Sequence, residues 1–492
     1  MKLINPMKYI FLFLLSLSLL CISCKKETVV WQGISYETIS TAEAPFSMMD
    51  LQVPIFPDRS FLITDYGARP MPAGGYPTAI DSSRIIRSNS QAFELAMEVC
   101  SGSGGGHVVV PTGEWLTGPI RFQSNCDLYL ADGAEVVFSG NPDDCLPEQM
   151  TSWEGIECYN YSPLVYAWRC NNIGISGSGT FRPLMDVWEK WYEPTFEHLK
   201  ALQMLDNWGT FGALFYARNI SSSKFRLRPA LIQLYQCSNI LLQDFKIRQS
   251  PHWAIHLFNC EEGMARRLDI EALGRNNDGI DIEMTRRFVI EDCSFDQGGD
   301  AIAIKSGRVL ENWNTPNSSR YIIIRRCVAN RAKAFLSIGE EISHGVHNVY
   351  MHNCQANGEL DDLFSIRTNR RQNSQVDSIT VEHCEAASVQ RIFAIDTDVY
   401  GDWRGRMSSS PDTCVATIAG ITMRDIKCRR AVALVDINGD DKRPIKGVTI
   451  EELKADTVTS FLSHTVHVID YKPSAIRAQH LGQSSHQPRR PQ

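Results

Sequence analysis

Short alternating runs of β-branched residues recur through the middle and end of this chain, and they restrict its fold more than any other feature. They include Asn239-Ile240-Leu241-Leu242-Gln243-Asp244-Phe245, Phe288-Val289-Ile290-Glu291-Asp292-Cys293, and Tyr321-Ile322-Ile323-Ile324-Arg325-Arg326-Cys327. Asn348 to Cys354, Ser378 to Cys384, Gly420 to Arg424 and Gly447 to Glu451 continue the series. Alternation of this kind marks strands, and the Asn, Gly and Ser that bound each run mark turns. A second apolar run often follows about ten residues later, as in Ala301-Ile302-Ala303-Ile304 and Leu336-Ser337-Ile338. Between runs there is no helical stretch of ten or more residues, so βαβ crossovers are excluded. What remains is a solenoid, in which each coil buries its apolar face against the next. Cys237, Cys260, Cys293, Cys327, Cys354 and Cys384 recur at intervals of 23 to 34 residues, each closing a run. Such cysteines read as small buried hydrophobes of the stack, since none of the six belongs to a CxxC or to a Cys/His pair at zinc spacing.

The ends follow from the same pattern. Asn89 to Cys100 (NSQAFELAMEVC) puts Phe93, Ala96, Met97 and Cys100 on a helical period behind an Asn/Ser cap, a helix that would close the open end of the stack. His107 to Pro111 and Leu128 to Leu130 read as the first strands. Residues 185 to 215, with Trp188, Trp191, Tyr192, Phe196 and Trp208, break the repeat and predict a projecting loop or short helices. The organisation predicted is a leader over 24–59, a β-helix over 60–472, and a disordered, polar and basic tail over 473–492.

Before the leader, Met1-Lys2 and Lys8 precede an apolar run from Tyr9 to Ile22 and then Ser23-Cys24-Lys25-Lys26. That run is too short for a membrane span and has the layout of a secretory signal. Residues 1–23 resemble a bacterial lipoprotein signal, which implies lipidation of Cys24, a membrane anchor, and a periplasmic or outer-membrane, cell-surface location. Hydrophobic residues at 43% and charged residues at 21% are those of a soluble globular body. The formal charge of −7 argues against nucleic acid as partner, which needs a concentrated basic face.

Asn276-Asn277-Asp278-Gly279-Ile280-Asp281, followed by Asp296-Gln297-Gly298-Gly299-Asp300-Ala301-Ile302-Ala303-Ile304-Lys305-Ser306-Gly307, resembles the polygalacturonase family of glycoside hydrolases. Ile63 to Ala68, Leu116 to Ile120, Trp153-Glu154-Gly155, Cys158 to Leu164 and Ser250-Pro251-His252-Trp253 extend the resemblance over most of the chain. It implies an all-β, single-stranded right-handed parallel β-helix that cuts pectic chains with inversion. Family members use an Asp of an Asn-Thr-Asp segment, an Asp pair, a His, and an Arg-Ile-Lys segment that holds the substrate carboxylate. Asp278 and Asn276 match the first segment and Asp300 matches the second Asp of the pair. Gly299 stands where the first Asp, the usual general acid, is expected. Lys333 falls about where the His belongs, and Ser365-Ile366-Arg367-Thr368 replaces Arg-Ile-Lys-Thr.

Spacing supports one site. Asp278, Asp300, Lys333 and Arg367 are 22, 33 and 34 residues apart, intervals that stack them on successive coils. Inverting hydrolysis needs one carboxylic acid and one carboxylate, and Asp278, Asp281 and Asp300 offer three carboxyls for those two roles. Crowding raises one pKa, so the most buried carboxyl stays protonated; Glu340 and Glu341 are further candidates. Lys305, Lys333 and Arg367 suit an anionic uronate, with Asn276 and His252 beside them. The expectation is a monomeric glycosidase for polygalacturonan or rhamnogalacturonan, with no cofactor and no metal. The alternative is a surface glycan-binding β-helix that lost its acid at Gly299.

Overall fold

A computed structural model describes residues 33–72, 79–308, 318–370, 373–399 and 415–481. The signal segment, Cys24 and residues 482–492 lie outside the described residues.

The chain winds as a right-handed parallel β-helix whose strands form three stacks. One stack runs through Gly106–Val110, Cys126–Leu130, Asn171–Gly177, Ser238–Gln243, Glu261–Arg266 and Arg286–Glu291. A second includes Ala134–Phe138, Thr180–Pro183, Lys246–Arg248 and Asp269–Ala272. The third carries the site: Ile232–Tyr235, Ile255–Phe258, Ile280–Glu283 and Ile302–Lys305. In the later coils the runs merge into strands of 22 residues, Gln375–Asp396, Thr417–Asn438 and Ile445–Val466. The core is stacked coil on coil, for example Phe138 on Phe181 with ring centroids 5.9 Å apart and Phe364 on Phe393 at 5.2 Å. Among the described residues twelve cysteines are free and all are buried.

Register comes from a repeated backbone device. Asn172, Asn239, Glu262, Arg287, Tyr321, Asn348 and Ser378 all have φ between 53° and 61°, and they occupy equivalent positions of successive coils. A left-handed residue costs about 1–2 kcal/mol unless glycine or a locally bonded Asn fills it. Here the Asn239 amide donates to Asn172 Oδ1 at 3.0 Å and Asn172 donates to Asn125 Oδ1 at 2.7 Å. Further along, Gly420 and Gly447 hold the place with φ of 64° and 66°.

Three expectations change. The capping helix runs from Ala79 to Gly102, so Asn89 is not its cap. Asn89 is buried within the helix and donates to the carbonyls of Arg69 at 3.0 Å and Leu116 at 2.8 Å, tying helix to coil. The leader is not a plain linker: Ser35–Ile39 and Leu51–Ile55 pair antiparallel, and Ile39, Leu51 and Val53 pack on Leu241, Met264, Val289 and Ile323. The solenoid also passes residue 472, since Val468–Leu481 pairs in parallel with Ile445–Val466. Pro473 sits in that edge strand, where a missing donor is tolerated.

Candidate active site

The floor of the site is set by strand register. Ile280 pairs with Ile302, and Ile302 with Leu336. Asp278 and Asp300, each two residues before its isoleucine, therefore stand on consecutive coils about 4.8 Å apart. Beyond them, Glu283 and Lys305 are register partners at the far ends of the same strands.

A hairpin and a helix raise one wall. Gln149–Trp153 and Ile156–Asn160 pair antiparallel around a two-residue turn in which Glu154 and Gly155 have φ of 43° and 83°, the sign pattern that hairpin twist favours. The segment expected to project forms the helix Phe196–Thr210 behind a Thr195 cap. Its Ala201, Leu202 and Leu205 pack on Trp153, Ile156 and Cys158. Arg308 locks wall to floor, reaching Asp206 of the helix at 3.0 Å, Glu154 at 2.9 Å and Glu341 at 3.3 Å. The turn fits so closely that a Cβ on Gly155 would lie 2.7 Å from the Arg308 amide nitrogen.

Wall and floor enclose a pocket of about 310 Å³. Asp278, Asp300, Lys305, Lys333, Arg367 and Asn276 all line it, together with Glu340 and Glu341. Two expected members do not. Asp281 is fully buried, 3.8 Å from Lys305 Nζ, with neither oxygen hydrogen-bonded, so it cannot touch substrate in this arrangement. His252 is sandwiched between Trp153 and Trp253, with centroids 5.3 and 4.9 Å away, and accepts from the Asn276 amide at 3.0 Å. Burial, reinforced by Arg228 and His256, holds the His252 imidazole well below its usual pKa, so it is a neutral support.

The two floor carboxyls are biased in opposite directions. Burial and the neighbouring Asp300 push Asp278 up to about 6, against the pull of Lys305. Burial works on Asp300 too, but Arg367, Ser337 and Lys305 outweigh it and leave its carboxyl below the ordinary range. Asp300 pairs with Arg367, accepts from Ser337 Oγ at 2.7 Å and accepts from the Ala334 amide at 3.0 Å. Asp278 Oδ1 accepts from the Asp300 amide at 2.9 Å. Glu341 is no candidate acid: burial would raise it, yet Lys305 and Arg308 hold it down to about 2. Lys305 spends its charge on Glu341 at 3.1 Å and lies over the Trp253 ring. Lys333 is exposed at the pocket and has no carboxylate within ion-pair distance among the described residues.

Gly299 explains how Asp278 takes its position. A Cβ there would lie 1.9 Å from Asp278 Oδ1, so the Asp278 carboxyl fills the space where a side chain at 299 would begin. Sequence reasoning found the floor and the projecting segment, and missed the ion pair that fastens that segment to the floor. Asp206 and Arg308 are 102 positions apart, and no local spacing marks such a pair.

A parallel β-helix whose walled pocket presents Asp278 and Asp300 on consecutive coils offers the two carboxyls that cleavage of a glycosidic bond requires. The model of the glycosyl hydrolases family 28 matches residues 206–472. The chain belongs to that family and is a polygalacturonase-like glycosidase. Among solved structures, it is similar to a hyperthermoactive exopolygalacturonase from Thermotoga maritima, with 29% identity and a TM-score of 0.74, covering 86% of this chain and 94% of that one. A polygalacturonase from Erwinia carotovora shares the fold at 18% identity and a TM-score of 0.57, over 88% of this chain and 99% of that one. A probable polygalacturonase from Vitis vinifera is 23% identical over 74% of this chain and 70% of its own length.

Proposed function

We propose that the chain hydrolyses the backbone of a pectic polysaccharide, polygalacturonan or rhamnogalacturonan, from a chain end and by single displacement. Asp278 is the general acid and Asp300 the general base. The observation that carries this reading is the contrast between two buried carboxyls on consecutive coils: Asp300 is held by Arg367, Ser337 and the Ala334 amide, while Asp278 makes no ion pair among the described residues. The acid expected at position 299 is replaced from the coil below: Asp278 occupies the space that Gly299 leaves.

Asp278 gives its proton to the glycosidic oxygen as the bond from the anomeric carbon breaks, and the leaving sugar departs as an alcohol. Asp300 takes a proton from water, whose oxygen attacks the anomeric carbon from the opposite face and inverts it. Asp281, buried and without a hydrogen bond to either oxygen, takes part in neither step. Lys333 and Arg367 lie on the later coils of the pocket and suit the carboxylate of a uronate. Attack from an end follows from the wall, which closes the pocket on the side of Trp191, Tyr192 and Leu202. The similarity to the Thermotoga exopolygalacturonase agrees with it. At its N-terminus the protein is exported and anchored to membrane through a lipid on Cys24.

The test is release of reducing ends from polygalacturonate and rhamnogalacturonan by the native chain and by Asp278→Asn and Asp300→Asn variants, with the product anomer followed by proton NMR. The expected result is inverted product from the native chain and no turnover by either variant, with sugar affinity kept. Retained configuration would remove the single-displacement mechanism. No turnover by the native chain would leave the glycan-binding alternative.

A further inference from the structure

Among the described residues, every buried cation of the pocket but one has a carboxylate partner, as does the half-buried Arg367. Lys305 has Glu341, Arg308 has Asp206, Glu154 and Glu341, and Arg367 has Asp300. Arg228 is the exception. It is 5% exposed, lines the pocket, and among the described residues makes no ion pair. Its Nη1 donates to two backbone carbonyls, Pro251 at 2.7 Å and Arg275 at 3.0 Å, while its Nε has no hydrogen-bond partner. The guanidinium lies against the Tyr192 ring, 4.6 Å from its centroid. The nearby Glu154 is already committed to Arg308 and Asn276.

Withdrawing a charge from water without a counter-charge costs several kcal/mol, and a fold keeps such a group where a ligand supplies the missing partner. A second unpaired donor lies on the same lining: the Trp253 indole Nε1 is buried and has no partner. Location gives the ligand its place. The two carbonyls that Arg228 bridges belong to the next two coils, the second of which leads into Asp278. Lys333 and Arg367 lie on the other side of the acid pair, on the coils after Asp300. Cations therefore bracket the reacting centre along the helix axis, and the closed end of the pocket has its own.

We infer that Arg228, with Tyr192 as its stacking support and Trp253 Nε1 beside it, forms a carboxylate-binding subsite at the closed end of the pocket, occupied by the terminal uronate of the substrate. The inference rests on the pectic-hydrolase reading and sharpens it. With Lys333 and Arg367 taking a carboxylate across the scissile bond, the pocket reads two uronates in succession. A backbone in which uronate alternates with a neutral deoxy sugar fills only one of the two, so consecutive uronates are the preferred sequence. Substitution of Arg228 costs one charge-assisted fork and leaves the acid pair untouched.

The experiment compares native chain and Arg228→Gln with trigalacturonate and with trigalacturonates whose carboxyl has been reduced to hydroxymethyl at one end or the other. Binding of free galacturonate and galactose is measured on the same preparations by calorimetry. The expected result is a KM about 10- to 100-fold higher in the variant on trigalacturonate, with kcat changed far less. Native enzyme should suffer a similar loss on one of the two end-reduced substrates, and the variant should lose the preference for galacturonate over galactose. An equal KM for all three substrates with native enzyme overturns the subsite, and that arm stands even where the variant fails to fold. Turnover by native enzyme with an unchanged Arg228→Gln variant sinks the subsite and leaves the pectic reading standing. Native chain that neither turns over these substrates nor binds galacturonate sinks both.

Discussion

Gly299→Ala is the sharpest perturbation of the proposed mechanism, because it adds one methyl group and no charge. The new Cβ would lie 1.9 Å from Asp278 Oδ1 and 3.0 Å from the carbonyl carbon and oxygen of Asn277. Ordinary contact begins near 3.4 Å, and the Asn277 backbone is fixed by register, so the Asp278 carboxyl is the group that must move. Moving it breaks the hydrogen bond from the Asp300 amide, now 2.9 Å, at a cost of about 1.5–3 kcal/mol to folding for a bond to a charged or acidic group. It also takes the proton donor away from the leaving oxygen, and a positioned acid is worth about 10²–10⁴ in rate. The partners of Asp300, namely Arg367, Ser337 and the Ala334 amide, are untouched, so the base is preserved. The assay is kcat on saturating polygalacturonate with a parallel denaturant titration. The expected outcome is a kcat at least about 100-fold lower in a protein that still folds. A kcat within twofold of native, with unchanged stability, would refute the placement of the acid at Asp278. The same geometry makes Gly299→Asp, which restores the family's Asp pair, a damaging change, since its carboxyl would crowd Asp278.

The pH profile carries its own sign. Asp278 must hold a proton, so kcat is expected to fall as pH rises through about 6, whereas Asp300 must be ionised and loses activity only below the ordinary carboxylate range. Arg367→Gln removes the chief group that depresses Asp300, and the acid limb of the profile should move to higher pH; a stationary limb counts against Asp300 as base. Asp206→Ala cuts the tie between the insertion helix and Arg308, and products from polygalacturonate should lengthen from monomer to mixed oligomers, read by chromatography. An unchanged product spectrum would mean that the wall does not set the mode of attack. Cys24→Ala should move the protein from the membrane fraction to the soluble fraction on cell fractionation, with specific activity unaltered.

Much of the floor was legible because coil register is written in sequence. Alternating runs such as Tyr321 to Ile324 fix which side faces in, and once they align, Asp278 on the coil before Asp300 follows by counting. Asn89 misled because its neighbours Phe93, Ala96 and Met97 start a helical period, so it reads as a cap. It serves as a tertiary hydrogen-bonding group whose partners, Arg69 and Leu116, are distant in sequence. Val468–Leu481 was illegible for a different reason: its pairing is made by backbone amides, which side-chain polarity does not reveal. Asp281 passed for a site residue because it belongs to the matching motif and alternates outward from the core residues Ile280 and Ile282, but its neighbours on that face cover it completely. Arg228 carried no signal at all, since an unpaired buried charge is visible only when its surroundings are known.

The separation of floor from wall has an evolutionary consequence. The acid and base are positioned by how one coil sits on the next, while the wall consists of two excursions, the hairpin around Glu154 and the helix from Phe196 to Thr210, that leave the solenoid and return to it. Lengthening, shortening or replacing an excursion leaves coil register alone, so the depth of the pocket can drift between lineages without passing through an inactive intermediate. Changes at the floor lack that freedom: a residue gained at 299 must be matched by a movement at 278 on the adjoining coil. Such a scaffold should diversify readily in the chain length it attacks and slowly in its chemistry.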